Sequence, residues 1–134
     1  MLVEDNRSDA LITQAAIESA IERVRVISFL SGEEALAWLE ARHSTDDLPD
    51  LILTDLHLSE MNGIDFLKAL KGRENLLSIP VLLFSSLINP QDEEIALKVG
   101  AREVIEKPID FYESVALFSR VFLDLFPSLH EGNM

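Results

Sequence analysis

The chain reads Asp50-Leu51-Ile52-Leu53-Thr54-Asp55-Leu56-His57-Leu58 near its middle, a short apolar run followed by an acidic residue. The run from Leu51 to Thr54 is almost continuously apolar. Runs of this length and composition are typical of strands that are buried on both faces of a parallel sheet. We therefore predict a buried strand here, with Asp55 directly at its carboxyl end.

Similar apolar runs recur along the chain, and helical patterns separate them. The five predicted strands are Met1–Val3, Val24–Ser28, Leu51–Thr54, Val81–Phe84 and Val104–Ile105. Five helical stretches follow the strands in turn, beginning near residues 8, 32, 63, 90 and 111. A strand and a helix repeated five times predict right-handed crossovers and a doubly wound parallel α/β sheet with helices on both faces.

Cap and turn residues set the limits of the predicted helices. Ser31 begins a capping box, Asn89 stands before a proline, and Gly100 suits a left-handed helix end. Asp110 opens the last helix, which we expect to run to Pro127. A length of 134 residues suits one domain. We predict that domain over residues 1–127 and a C-terminal tail over residues 128–134.

The charge balance excludes several classes of partner. The chain has 11 basic and 24 acidic residues, for a net charge of −13, which argues against a nucleic-acid surface and against docking on an anionic membrane. Cysteine is absent, so disulfides and thiolate chemistry are excluded. No apolar run approaches the roughly 20 residues of a membrane span. We expect a soluble cytoplasmic domain.

Charged and hydroxyl side chains follow four of the five predicted strands. Glu4 and Asp5 follow the first strand, Asp55 the third, Ser85 the fourth and Lys107 the fifth. The carboxyl ends of parallel strands meet at one edge of the sheet, so we expect these groups to converge. Three carboxylates held together raise one another's pKa, a conflict that a hard divalent cation such as Mg²⁺ resolves. With a lysine and a hydroxyl nearby, the group suits transfer of a phosphoryl group to a carboxylate.

At these positions the sequence resembles the receiver domains of two-component response regulators, over nearly the whole chain. The matching segments, in order, are Leu2-Val3-Glu4-Asp5-Asn6, Asp50–Leu58, Met61-Asn62-Gly63, Pro80–Ser86, Gly100-Ala101 and Glu106-Lys107-Pro108. Length and layout are similar to chemotaxis-regulator-like, stand-alone receivers that serve phytochrome-type histidine kinases. The resemblance implies the flavodoxin-like strand order 2-1-3-4-5.

The resemblance also implies a phosphoryl chemistry. Asp55 would be the phosphoacceptor, while Ser85 and Lys107 would contact the phosphoryl group. The peptide bond between Lys107 and Pro108 would be cis. The protein would be a phosphorylation-dependent switch that receives its phosphoryl group from a histidine kinase or phosphotransfer protein. It would not be an enzyme beyond self-catalysed phosphorylation and dephosphorylation.

A Mg²⁺ site is implied in the same way. Asp5 and Asp55 would bind the ion directly, together with the backbone carbonyl of His57. Glu4 would help through a water molecule. Because the His57 side chain stands two residues past Asp55, we predict that it influences the lifetime of the phosphoryl group.

Three features depart from the family pattern. The first strand, Met1–Val3, is short for a central strand, so we expect that a few preceding residues are missing from the chain. Ser59 stands where many members have proline, and we expect it to alter the loop. Val104 stands where many members have an aromatic side chain that moves with the switch hydroxyl. This last departure favours an alternative, a pseudo-receiver that binds partners without phosphorylation.

The last predicted helix carries more apolar surface than one packed face needs. We expect a stripe toward the sheet made of Phe111, Val115, Phe118, Phe122, Leu125 and Phe126. Tyr112, Ala116 and Leu123 flank one edge of the stripe, while Leu117 and Val121 widen the other. The surplus predicts a homodimer through Tyr112, Ala116 and Leu123.

Two other classes fit the sequence poorly. Phosphatases with an aspartate nucleophile use a second aspartate two residues later, where this chain has His57. A nucleotide-binding protein needs a glycine-rich loop after a strand, and the five glycines form none.

Overall fold

The computed structural model describes residues 1–42 and 44–131 as a five-stranded sheet between two layers of helices. The strands are β1 (Leu2–Val3), β2 (Ser28–Phe29), β3 (Ile52–Thr54), β4 (Val81–Ser85) and β5 (Glu103–Glu106). The helices are α1 (Arg7–Ala20), α2 (Gly32–Glu40), α3 (Gly63–Lys71), α4 (Pro90–Val99), α5 (Phe111–Leu125) and α6 (Ser128–Glu131). Short 3₁₀ turns cover Thr45–Asp47 and Glu74–Leu76.

All neighbouring strands are parallel, and their order is β2-β1-β3-β4-β5. This confirms the predicted doubly wound sheet and its strand order. The predicted second strand, Val24–Ser28, was wrong in its limits. Only two residues of β1 pair with β2, Leu2 with Ser28 and Val3 with Phe29. Most of the apolar run that starts at Val24 therefore lies before the paired segment.

Both faces of the sheet are buried, which explains the unbroken apolar runs. Along β4, Val81 and Leu83 join the core beneath α2, α3 and α4, while Leu82 and Phe84 join the core beneath α1 and α5. Side chains alternate between the faces of a strand, so a strand covered on both sides needs apolar residues at every position.

Side-chain caps begin the five long helices at the carboxyl end of the sheet. Asn6, Ser31, Asn62 and Asn89 each accept a hydrogen bond from the backbone N–H three residues later, and Asp110 accepts one from Tyr112. These bonds satisfy N–H groups that have no partner inside the helix. At the end of α4, Gly100 adopts a φ of 127°, a conformation that favours glycine, as predicted.

Five residues of the predicted α5 stripe lie in or against the core, namely Val115, Phe118, Phe122, Leu125 and Phe126. Phe118 and Val121 are fully buried, and the Phe118 ring centroid lies 5.2 Å from that of Phe84. Phe111, which we had placed in the stripe, is the first residue of the helix and is 37% exposed, so the stripe begins at Val115. Helix α6 lies within the segment predicted as a tail.

Across the part of the chain described, none of the helices combines the length and the apolar character that crossing a bilayer requires.

Candidate functional site

The parallel register brings four strand ends to one edge of the sheet. Backbone hydrogen bonds continue the ladders one residue past the strands, from Asp55 N–H to the Val3 carbonyl at 3.0 Å and from Lys107 N–H to the Ser85 carbonyl at 2.8 Å. Glu4 is likewise held by its N–H, which donates to the Phe29 carbonyl at 3.0 Å. These bonds position the side chains that follow β1, β3 and β5.

Lys107 bridges two of the carboxylates. Its Nζ lies 2.7 Å from Glu4 Oε1 and 2.9 Å from Asp55 Oδ2. The side chains are poorly exposed, at 15% for Lys107, 4% for Glu4 and 11% for Asp55. The ammonium also lies 5.7 Å from the centroid of the Phe84 ring, within reach of a cation–π attraction. The predicted convergence of Glu4, Asp55 and Lys107 is thus present in the fold.

The network shifts the pKa of each of its members. Burial alone would raise the pKa of Asp55, but hydrogen bonds from Lys107 and from the His57 N–H outweigh burial and hold that pKa below its usual value. Burial also lowers the pKa of Lys107, yet its two carboxylate partners raise it above the usual value. For Glu4 burial prevails, together with the nearby Asp55, and its pKa is raised to about 7.

Asp5 and Ser59 form a second contact at the rim of the site. Ser59 Oγ donates to Asp5 Oδ2 at 2.6 Å. The sequence analysis noted Ser59 only because many family members have proline at this position, and it did not place this residue in the site. The signal available was a hydroxyl four residues past Asp55. This bond orients the Asp5 carboxylate, one of the predicted metal ligands.

His57 is tied to the site through both its backbone and its side chain. Its N–H donates to Asp55 Oδ1 at 2.8 Å, and its Nε2 lies 2.8 Å from the Leu87 carbonyl oxygen. Ser85 is buried, and its hydroxyl donates to the same Leu87 carbonyl at 3.4 Å. The hydrogen bonds of the described residues do not join Ser85 to Asp55, so the predicted switch hydroxyl is turned toward its own loop.

Gly63 allows α3 to begin against the backbone that follows β3. A Cβ at this position would collide with the Asp55 carbonyl oxygen and would stand 2.8 Å from Leu56 Cα. The Gly63 N–H donates to the Leu56 carbonyl at 2.9 Å. A side chain at residue 63 would therefore push the loop that carries Asp55 out of place.

The donor set is suited to Mg²⁺, which is commonly held by one or two carboxylates and several waters. Glu4, Asp5 and Asp55 carry three negative charges at this edge when they are ionised, and Lys107 supplies one positive charge. Within residues 1–42 and 44–131, no three His, Cys, Asp or Glu side chains already stand in the arrangement of a metal site. Two carboxylates and a carbonyl remain a fitting partial set.

The expected cis bond between Lys107 and Pro108 was wrong. The described residues contain no cis peptide bond. The trans form before proline is favoured by about 0.5–1 kcal/mol, and with it Lys107 still reaches both carboxylates.

A model of the response regulator receiver domain matches residues 1–118. The chain belongs to this family. The receiver domain is 37% identical over 110 residues to the polar-differentiation response regulator DivK of Brucella ovis, a match that covers 81% of this chain and 83% of DivK.

Solved structures resemble the receiver domain closely. The phosphorylated cyanobacterial phytochrome response regulator RcpA has a TM-score of 0.82 at 27% identity, over 95% of this chain and 92% of RcpA. The signal receiver domain of a histidine kinase from Syntrophus aciditrophicus has a TM-score of 0.72 at 28% identity, over 93% and 89% of the two chains. These likenesses support a receiver domain of two-component signalling.

Proposed function

We propose that this receiver domain is a phosphorylation-dependent switch that accepts a phosphoryl group on Asp55 from a histidine kinase or a phosphotransfer protein. The observation that carries the proposal is the bridge from Lys107 Nζ to Asp55 Oδ2 and Glu4 Oε1. The bridge favours the ionised form of Asp55, which is the nucleophilic form, and supplies a positive charge beside it.

The transfer step follows from these contacts. One carboxylate oxygen of Asp55 attacks the phosphorus of a phosphohistidine, and a P–O bond forms as the P–N bond breaks. The bonding electrons go to the leaving imidazole nitrogen, which takes a proton from water. Lys107 then exchanges a carboxylate contact for an oxygen of the phosphoryl group, and the hydroxyl of Ser85 turns from Leu87 to donate to another.

Asp5, Asp55 and the His57 carbonyl would hold Mg²⁺, with Glu4 acting through a water molecule. When bound, the ion neutralises charge on the phosphoryl oxygens. The bond from Ser59 keeps the Asp5 carboxylate oriented toward this role. The excess of negative charge among the carboxylates supports a divalent cation here.

Intact mass after incubation with Mg²⁺ and a small acyl phosphate tests the proposal. We expect one phosphoryl adduct on the parent and none on Asp55→Asn or in EDTA. Asp50→Asn is the matched control, because Asp50 is an exposed carboxylate before the start of the same strand, and it should be modified like the parent. An adduct on Asp55→Asn would refute the assignment of the acceptor.

The relatives support the signalling context. DivK is named as a polar-differentiation response regulator, and RcpA as a phosphorylated phytochrome response regulator. We infer a cytoplasmic switch whose phosphoryl donor is a histidine kinase similar to those that serve these relatives. The receiver would have no enzymatic role beyond its own phosphorylation and dephosphorylation.

A pseudo-receiver is the second candidate function, and Val104 favours it. Val104 is half-buried and packs against the core beneath α4, so it lacks an aromatic ring that could swing with Ser85. Failure of the parent to take an adduct, from a donor that modifies a control receiver, would support this candidate.

A homodimer through α5 is part of the proposal. Tyr112 is 80% exposed, Ala116 is exposed and Leu123 is half-buried, so the predicted edge is accessible. Sedimentation velocity at high micromolar concentration should show a dimer that Tyr112→Glu disrupts. Leu11→Glu, at an exposed apolar position on α1, should leave it intact. A parent that sediments as a monomer would contradict the dimer.

A further inference from the structure

The His57 side chain links two loops that are far apart in sequence. Its Nε2 contacts the carbonyl oxygen of Leu87, thirty residues away, at 2.8 Å. A carbonyl oxygen can only accept, so Nε2 carries the proton and donates. The link joins the loop after β3 to the loop between β4 and α4.

The Leu87 carbonyl has two donors of unequal quality. The contact from His57 is 2.8 Å long, whereas the contact from the Ser85 hydroxyl is 3.4 Å, at the long end of hydrogen bonding. If Ser85 turned toward a phosphoryl group on Asp55, His57 would still satisfy the carbonyl. The movement of Ser85 would then leave no orphaned acceptor behind.

We infer that the His57 imidazole is a positioning group that holds the β4–α4 loop through the Leu87 carbonyl and thereby frees the Ser85 hydroxyl to change partners. The same residue holds Asp55 Oδ1 through its backbone N–H. A change at Asp55 therefore displaces His57, and His57 carries that displacement to Leu87. This last step rests on the proposed function.

The route ends at a side chain suited to recognition by a partner. Leu87 is apolar and 72% exposed, at the start of the segment that leads into α4. Val104 is half-buried against the core, and its short branched side chain has little freedom to report on the site. The link through His57 gives the receiver a path from Asp55 to its surface that does not need an aromatic switch.

Backbone order parameters from NMR test the link in metal-free, unphosphorylated protein. We expect the amides of Ser86, Leu87 and Ile88 to be ordered in the parent, with S² of about 0.85, and to fall below about 0.6 in His57→Ala. His57→Gln, whose amide can also donate to a carbonyl, should restore part of the order. Ser85→Ala should stay close to the parent, and the amides of α1 should be unchanged in every variant.

Two outcomes would overturn the inference. One is an unchanged loop in His57→Ala, and the other is a loss of order in Ser85→Ala as large as that in His57→Ala. A second measurement compares the change in chemical shift of the Leu87 amide on acyl-phosphate treatment between the parent and His57→Ala. We expect the change in His57→Ala to be at most half of that in the parent. An equal change in both proteins would show that His57 does not couple the loop to Asp55. If intact mass shows no adduct, the proposed function fails, and the order parameters still decide whether His57 holds the loop.

Discussion

Replacing Lys107 by methionine should strongly destabilise the metal-free receiver. The substitution removes an ammonium that lies 2.7 Å from Glu4 and 2.9 Å from Asp55, and it leaves two buried carboxylates without that partner. Removing one partner of a buried ion pair commonly costs about 3–5 kcal/mol. The Lys107 side chain retains 15% exposure, so we expect a loss near the lower end, about 3 kcal/mol, at pH 8.

The loss should shrink as the pH falls. Without the lysine, burial and mutual repulsion raise the pKa of the carboxyl pair above its value in the unfolded chain. The folded state then binds more protons than the unfolded state, and its stability rises toward acid pH. Each pH unit over which one extra proton is held recovers about 1.4 kcal/mol. The parent also takes up a proton at Glu4, whose pKa is raised to about 7, so between pH 8 and pH 6 roughly half of the deficit should disappear.

Urea unfolding in EDTA, followed by the fluorescence of the half-buried Trp38, measures these differences. Lys98→Met is the matched control, because Lys98 pairs with Glu94 at 3.0 Å on the surface, with side chains 75% and 66% exposed. Such pairs contribute about 0.5 kcal/mol or less. Asp55→Asn added to Lys107→Met should recover part of the loss. If Lys107→Met costs no more than Lys98→Met at pH 8, the bridge does not stabilise the fold and the reasoning is wrong.

Three further predictions concern other parts of the site. Gly63→Ala should cost about 2–4 kcal/mol in urea unfolding, because its Cβ would stand 2.8 Å from Leu56 Cα, whereas Gly72→Ala, with its nearest neighbour at 3.4 Å, should be neutral or slightly stabilising. The pKa of Glu4 is raised to about 7, so the contribution of this carboxyl to metal-free stability should rise as the pH falls from 8 to 5, whereas the amino terminus, whose pKa is lowered to about 6, acts in the opposite direction. The difference in unfolding free energy between the parent and Glu4→Gln isolates the Glu4 contribution and should grow in favour of the parent over this range. His57→Ala should change the dephosphorylation rate of the phosphorylated receiver, and an unchanged rate in a decay assay would contradict a role for this side chain in phosphoryl lifetime.

The sheet was predictable because burial on both faces leaves a strong pattern. Strands such as β3 and β4 need apolar residues at successive positions, and glycine and cap residues mark the ends of the helices between them. The limits of β2 were not predictable from its own composition, because Val24 is as apolar as a strand residue. Pairing depends on the length of the neighbouring strand, and β1 pairs with Ser28 and Phe29.

The site was predictable as far as the sheet determines it. Residues directly after parallel strands must lie at one edge of the sheet, so the sequence alone predicted that Glu4, Asp55 and Lys107 lie close together. The contacts from Ser59 to Asp5 and from His57 to Leu87 arise from loop conformations, which no periodicity encodes. The stripe of α5 was predictable from Val115 to Phe126, but the periodicity did not show that Phe111, at the first position of the helix, is exposed or that Val121 is fully buried.

The receiver edge combines stability and signalling in one set of charges. Glu4, Asp55 and Lys107 follow three different strands, so their bridge also ties β1, β3 and β5 together where the sheet ends. The remaining negative charge opposes folding without a cation, and a cation that binds the folded state alone adds stability by mass action. A phosphoryl group on Asp55 that draws Lys107 away from Glu4 therefore weakens the ion pair between the ends of β5 and β1, while it adds a contact between the ends of β5 and β3. The free-energy cost of that exchange is lowest when the β4–α4 loop stays in place, and the hydrogen bond from His57 to the Leu87 carbonyl holds this loop.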